Sequence, residues 1–398
     1  MSSRRSTRAE QRAASRMAIL DAAISAYGGA GPSGTSLRGV ADSAGVTHPL
    51  VLQHFGSKDG LVRAVGERLT ARVRAETAAV GSCDAAGFSR LLRSARDNRS
   101  MTKLLIRSAL GDIEPDGFPE CLGGPWSIPG DEVGSDADRR AKILQYAASS
   151  LLLGWLTFDG FIESALRLGS RGRRRRDDAI AFVAADLWAL AAIHDPLLES
   201  GRSADNEQGA REAAPSTEPT TRDALLASAI ELFAQHGPAS VSIRDIARHA
   251  GMNHGLLHRH FGSKDALIAE AIEVGIAPLM PGALAPGGLD IDQVVAVMHR
   301  NPIPARLIAR TLVDNIDMGS VRVRYPVMEG VLDQARRAPV ESRPACVADP
   351  SIAAAATGSM VAGSVIWGAS LRAASGFEGD VQPALTDLSH HLLGVPRG

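Results

Sequence analysis

Laid against itself with a shift of 206 positions, the chain matches from Gly31 to Leu61 without a gap. Gly31-Pro32 falls on Gly237-Pro238, Ser36 on Ser242, Arg38 on Arg244 and Ala41 on Ala247. Ala44-Gly45 falls on Ala250-Gly251, and His54–Asp59 on His260–Asp265. Such a repeat constrains the fold strongly, because an architecture that ignores it is miscalled as a whole. Downstream the likeness is fainter. "NRSMTKLLIRSAL" from Asn98 resembles "NPIPARLIARTL" from Asn301, and "SSLLLGWLTF" from Ser149 resembles "GSMVAGSVIW" from Gly358. The repeated unit is therefore expected to be the half-chain. Between the halves, Glu199 to Thr221 has almost no large apolar residue and reads as a flexible linker.

Within each copy the pattern is helical. Ile19, Leu20, Ala23, Ile24 and Tyr27 recur at helix spacing, as do Leu225, Leu226, Ala229, Ile230 and Phe233 behind Thr221 as N-cap. Gly28-Gly29 and Gly237 are expected to stop these helices. A short helix should follow, capped by Ser36 or Ser242, with Leu37, Val40 and Ala41 (Ile243, Ile246 and Ala247) buried. The spacing Ala41-x-x-x-Gly45, repeated as Ala247-x-x-x-Gly251, suits two closely crossing helices joined by a turn with positive φ. Thr47 or Asn253 should cap a third helix, and Ser57 or Ser263 a fourth, with Lys58 or Lys264 in its first turn.

Two short helices at a steep angle make a helix-turn-helix, whose second helix can enter a major groove. "SLRGVADSAGVTHPLVLQHFGSKDGL" and "SIRDIARHAGMNHGLLHRHFGSKDAL" resemble the DNA-binding domain of the TetR/AcrR family of transcriptional regulators. The resemblance implies an all-α fold of about nine helices per unit. It implies a homodimer built on the last two helices, and release of an operator when a small molecule enters the effector domain. With two units in one chain, the expectation is an intramolecular pseudo-dimer, open to further homo-oligomerisation; linking the halves raises their effective concentration. The expected domains are 1–64 and 222–268 for DNA binding, 65–198 and 269–398 for the helical effectors, and 199–221 as linker.

The common HFGSKD is a frame, since phosphates carry no sequence information. His54 and Lys58, with His260 and Lys264, belong to it, and the capping Ser36 and Ser242 upstream are expected to meet phosphates as well. The residues before it should read bases in double-stranded DNA: Thr47, His48, Pro49 and Gln53 in copy 1, and Asn253, His254, Gly255, His258 and Arg259 in copy 2. Arg suits guanine, and Asn or Gln suits adenine. Unequal faces predict unequal half-sites and an asymmetric operator. The family commonly carries a phosphate-contacting tyrosine where Leu52 and His258 stand, so copy 1 should grip less firmly or lean on its basic arm. That arm (Arg4, Arg5, Arg8, Arg12, Arg16) is either a minor-groove contact or a solvated tail.

The remaining features are ambiguous. Trp126, Trp155, Phe158, Met298, Met318 and Trp367 are plain core or walls of a pocket for a small-molecule effector. Gly111 to Asp136 is a lid or a tolerated insertion, and the basic run Arg171 to Arg176 a solvated loop or a contact for an acidic partner or a second DNA segment. His254 and His258 are one turn apart without a supporting carboxylate or cysteine, so no metal or other cofactor is expected. The three distant cysteines (Cys83, Cys121, Cys346) suit a reducing cytoplasm. No P-loop, HExxH, GxSxG or Cys-x-x-Cys marks an enzyme. The longest apolar patch, Leu151 to Phe158, is too short to span a bilayer, so no membrane is expected. A net charge of -1 leaves any DNA affinity to local basic patches.

Overall fold

The computed structural model describes residues 8–113, 135–169, 171–190, 220–279, 284–285, 288–316 and 325–396. The first unit contains α1 (Arg8–Ala30), α2 (Leu37–Ser43), α3 (His48–Phe55), α4 (Lys58–Val80), α5 (Ala85–Asp97), α6 (Arg99–Ala109), α7 (Asp136–Ala165) and α8 (Arg173–Leu190). The second contains α9 (Thr221–His236), α10 (Ile243–His249), α11 (Gly255–Phe261), α12 (Lys264–Ile276), α13 (Ile291–Arg300), α14 (Ile303–Val313), α15 (Pro326–Arg337), α16 (Pro350–Ser375) and α17 (Gln382–Leu393). The fold is all-α. Beside three short 3-10 turns, the described residues include one antiparallel pair of two-residue strands, β1 (Leu284–Ala285) and β2 (Gly288–Leu289).

Local chemistry sets most helix ends. Ser36, Ser57, Ser242 and Ser263 each accept a backbone N–H two or three residues into the helix they precede. Gly45 and Gly251 take φ of +66° and +68° in the turn between the two short helices, a conformation that costs glycine least. Two of these helix ends differ from the sequence reading. Helix α1 runs through Gly28-Gly29 and ends before Gly31, at φ +72°. A side chain at Gly28 would meet the Ser100 carbonyl at 2.7 Å, so this glycine serves the close approach of α6 rather than a stop. Thr220, not Thr221, caps α9, in a capping box with Asp223. The rest of the expected linker lies outside the described residues.

Each head is a small three-helix core. Ile19, Ala23, Tyr27, Val40, Val51 and Leu61 close the first; Leu225, Ala229, Phe233, Ile246, Leu257 and Leu267 close the second. Burying one such side chain contributes about 1.5–3 kcal/mol. The first helix of each head packs on its own unit's effector layer, α1 on α6 and α9 on α14. Helices α6 and α14 then meet each other. The two heads are thereby seated on one shared layer.

The units pair chiefly through α7 and α16. A Cβ on Gly154 would lie 1.9 Å from the Ser359 carbonyl oxygen, and one on Gly363 2.0 Å from that of Ser150. The two glycines face each other where the helices cross, which lets the backbones touch. They are the positions that the faint "SSLLLGWLTF"/"GSMVAGSVIW" likeness aligns. Tyr146 Oη donates to the Ser364 carbonyl at 3.2 Å, and Trp367 Nε1 to Thr157 Oγ1 at 3.1 Å, across the same seam. The pseudo-dimer is thus built mainly on the next-to-last helix of each unit. By length and apolar character α16 also resembles a membrane span, but most of it is buried in this seam.

Candidate nucleic-acid interface

The short helix α3 buries Val51 and presents Thr47, Pro49, Leu52 and Gln53 to solvent, with His48 half-buried. Helix α11 buries Leu257 and presents His258 and Arg259, while Asn253, His254 and Gly255 stand exposed at its start. The two starts are built differently. Thr47 occupies the N-cap of α3 without a side-chain cap, and Pro49 fits the first turn because it lacks an N–H to satisfy. In copy 2, Asn253 Oδ1 accepts from the Gly255 N–H at 2.9 Å, and His254 rather than the expected Asn253 holds the N-cap position, so the helix begins one residue later than in copy 1. This bond uses one of the two lone pairs of the amide oxygen and orients the side chain, leaving the N–H₂ free to donate.

Two frame histidines are placed differently from a base-reading role. His54 is half-buried, with Nε2 3.1 Å from Ser15 Oγ on α1. Burial, then the charges of Arg12 and Arg16, push its pKa down. His260, its counterpart, is also half-buried. Both sit beside a cation stacked on the frame phenylalanine: Arg16 lies 5.2 Å from the Phe55 ring, and Arg222 4.9 Å from that of Phe261. Arg8, Arg12 and Arg16 therefore belong to a helix and not to a free arm, and Arg16 anchors it; Arg4 and Arg5 lie outside the described residues. His258 places Nδ1 3.3 Å from the Gly262 carbonyl, a local contact that leaves Nε2 free. Lys58 and Lys264 open α4 and α12, half-buried, where burial pushes the Lys264 pKa down.

Beneath the heads lies a charged junction that sequence reasoning missed. Arg107 on α6 and Arg310 on α14 are fully buried, and each crosses to the other unit. Arg107 Nη2 donates to Asp314 at 2.6 Å and to the Gly29 carbonyl at 2.9 Å. Arg310 Nη1 donates to Asp112 at 2.5 Å, and Nη2 to the carbonyls of Gln235 at 2.6 Å and Leu110 at 3.0 Å. Asp112 also takes Arg107 at 3.1 Å, and Asp314 accepts the Ala239 N–H at 2.8 Å. Each arginine thus ties the C-terminal end of its own head's first helix to a carboxylate of the opposite unit. The heads also approach directly. Gly31, Pro32 and Ser33 share a cleft of about 520 Å³ with His236, Ser240, Arg248 and His249. The signal was present in the downstream likeness, which sets Lys103 on Arg306 and Arg107 on Arg310.

Two apolar cavities lie in the effector layer. One of about 100 Å³ lies mainly in the first unit, between α4, α5, α6 and α7, with Leu371 of α16 completing its wall. The other, of about 80 Å³, takes Phe158, Phe161 and Ile162 from the first unit and Met298, Met328 and Val361 from the second. Phe158 and Met298 line this cavity. Trp155 and Trp367 are fully buried and bonded, Trp155 Nε1 to Asp177 at 2.7 Å and Trp367 to Thr157. Trp126, Met318, Cys121 and most of the Gly111–Asp136 segment lie outside the described residues.

The basic run is neither a free loop nor uniformly solvated. From Arg173 it is the first turn of α8, and Arg173 and Arg176 both bond the buried Glu163, the second at 2.7 Å. Arg171, Arg174 and Arg175 remain exposed. Burial and Asp186 raise the Cys346 thiol to about 12, and burial raises Cys83, so neither is an activated thiolate.

Comparison with known proteins matches the family model "Bacterial regulatory proteins, tetR family" twice, over residues 19–65 and 225–271. The HTH-type transcriptional repressor Rv3405c of Mycobacterium tuberculosis is 36% identical over 122 residues, 30% of this chain and 62% of that protein. The HTH-type transcriptional regulator Mb3439c of Mycobacterium bovis matches to the same extent. The HTH-type transcriptional regulator BetI of Agrobacterium fabrum is 40% identical over 68 residues, 17% of this chain and 33% of that protein. The matched segment thus spans less than two thirds of each relative.

Proposed function

We propose that this chain, with two tetR-family DNA-binding domains in tandem on one pseudo-symmetric body, is a ligand-responsive transcriptional repressor acting in the cytoplasm. It reads an asymmetric operator through two unequal helices. The observation that carries this reading is the pairing of a common frame with different exposed faces. Thr47, Pro49 and Gln53 stand on one head, and Asn253, His258 and Arg259 on the other. Arg259 suits guanine, and Gln53 suits adenine. A single chain that holds both heads on one layer fixes their order on the duplex, so the operator has a direction. The two apolar cavities support a small-molecule effector, because the α6–α14 layer that borders them also carries the arginines bonded to the heads.

Selection of bound duplexes from a random pool tests this reading. The expected consensus has two dissimilar half-sites at fixed spacing, with one chain bound per site. A palindrome bound by two chains would overturn it. A second reading, in which only copy 2 reads DNA, is favoured by Leu52, an exposed apolar residue where copy 2 has His258. Under that reading Gln53→Ala leaves the affinity for DNA unchanged while Arg259→Ala lowers it.

A further inference from the structure

The apolar cavity of the first unit does not end in the core. Three residues of its wall, Ala95, Thr102 and Leu156, also line a second cleft of about 180 Å³. That cleft carries Arg96, Arg99, Lys103 and Arg173 against one carboxylate, Asp159. Arg96 is held by Asp159 and Asp177, and Arg173 by Glu163. Arg99 and Lys103 are different. They lie one turn apart on α6, and among the described residues neither forms an ion pair. Lys103 Nζ donates instead to the Val313 carbonyl at 3.2 Å and to the Asn315 side chain. Burial, then the nearby Arg107 and Arg99, push its pKa down. An anion placed between the two cations would relieve that repulsion.

We propose that the apolar cavity and the cationic cleft form one site for an amphipathic anion, a carboxylate on a medium-length alkyl chain. The tail packs among Leu69, Leu91 and Leu152, and the head group sits at Arg99 and Lys103. The proposal gives the ligand-responsive reading a chemical class and rests on that reading. The second unit offers no equivalent head-group site, since the downstream likeness sets Pro302 at the place of Arg99 and His299 at that of Arg96. The route to the heads is short. Val313 and Asn315, which Lys103 bonds, flank Asp314, which holds Arg107 and the Ala239 N–H of the second head. A carboxylate that draws Lys103 away frees the turn that positions both heads.

The test is calorimetric titration of the full chain, without DNA, using octanoate, octanol and propionate. Octanoate should bind at least tenfold more tightly than either of the others, because charge-assisted hydrogen bonds and tail burial act only in octanoate together. Arg99→Gln, at an exposed position, and Lys103→Gln should each weaken octanoate about tenfold and leave octanol unchanged. Equal binding of octanoate and octanol overturns the proposal, as does octanoate binding that ignores Arg99→Gln. Because no DNA is present, either result is independent of whether the chain reads an operator. Octanoate that binds without releasing a selected operator would sink the regulatory reading and leave the site standing.

Discussion

The two units share a frame and differ in what they hang on it. In the first effector half, α5 and α6 carry Arg96, Arg99 and Lys103, and the apolar cavity opens towards them. In the second, the positions aligned with Arg96 and Arg99 are His299 and Pro302, and the cavity is walled by apolar residues apart from Thr357. Yet both place an arginine at the junction, Arg107 and Arg310, each reaching across. The difference teaches that the two copies share the arginine junction beneath the heads and diverge in the walls of their cavities. A symmetric dimer must present both cavities identically, whereas a fused one is free to specialise.

The comparison can be broken most forcefully at the junction. Arg107→Ala leaves the Asp314 side chain, fully buried, without its partner, and should cost about 3–5 kcal/mol in thermal unfolding. Arg310→Ala should cost less, because Asp112 is partly exposed and keeps Arg107. Equal losses would mean that the two crossings are equivalent after all. At the seam, Gly154→Val and Gly363→Val should each cost about 1–3 kcal/mol by forcing α7 from α16. Calorimetry that found one of them neutral would place the crossing elsewhere.

At the heads, Gln53→Ala and Arg259→Ala should each weaken a selected operator by about ten- to hundredfold, each at one half-site only. Anisotropy titrations on half-site variants would sharpen the contrast between the reading faces. The smallest expected effect is a pH dependence at a position where only the second unit carries a histidine. His299 Nδ1 lies 2.9 Å from the Val295 carbonyl, and Nε2 3.0 Å from Ser364 Oγ. Burial pushes its folded pKa below the ordinary 6.5. The unfolded chain therefore binds the proton more readily. This contribution is fully present above pH 6.5 and is lost as pH falls through the folded value. His299→Asn should flatten that slope in urea titrations across mildly acidic pH. The aligned Arg96 has its pKa raised, so the first unit adds no such slope there.

What sequence could reveal tracks the range of the interaction. Ser36, Ser242, Ser57 and Ser263 are legible as caps because the bond spans two or three residues. Gly45 and Gly251 are legible because positive φ is a property of the residue itself. Gly28-Gly29 was misread for the complementary reason. Its role is set by Ser100 and Arg107, on another helix, and a helix tolerates glycine when packing repays the lost propensity. His54 is legible as part of the common frame, but its contact with Ser15 on another helix is not.

Sequence alone determined the duplication, the helical class, the two helix-turn-helix frames and the inequality of their exposed faces, since all of these rest on periodicity, caps and turns within a few residues. Only the tertiary structure decided that Gly154 meets Gly363, that Arg107 and Arg310 exchange carboxylates, and that Lys103 faces a cleft shared with an apolar cavity. Those contacts join positions some two hundred residues apart, and their strength comes from burial, which no linear spacing encodes.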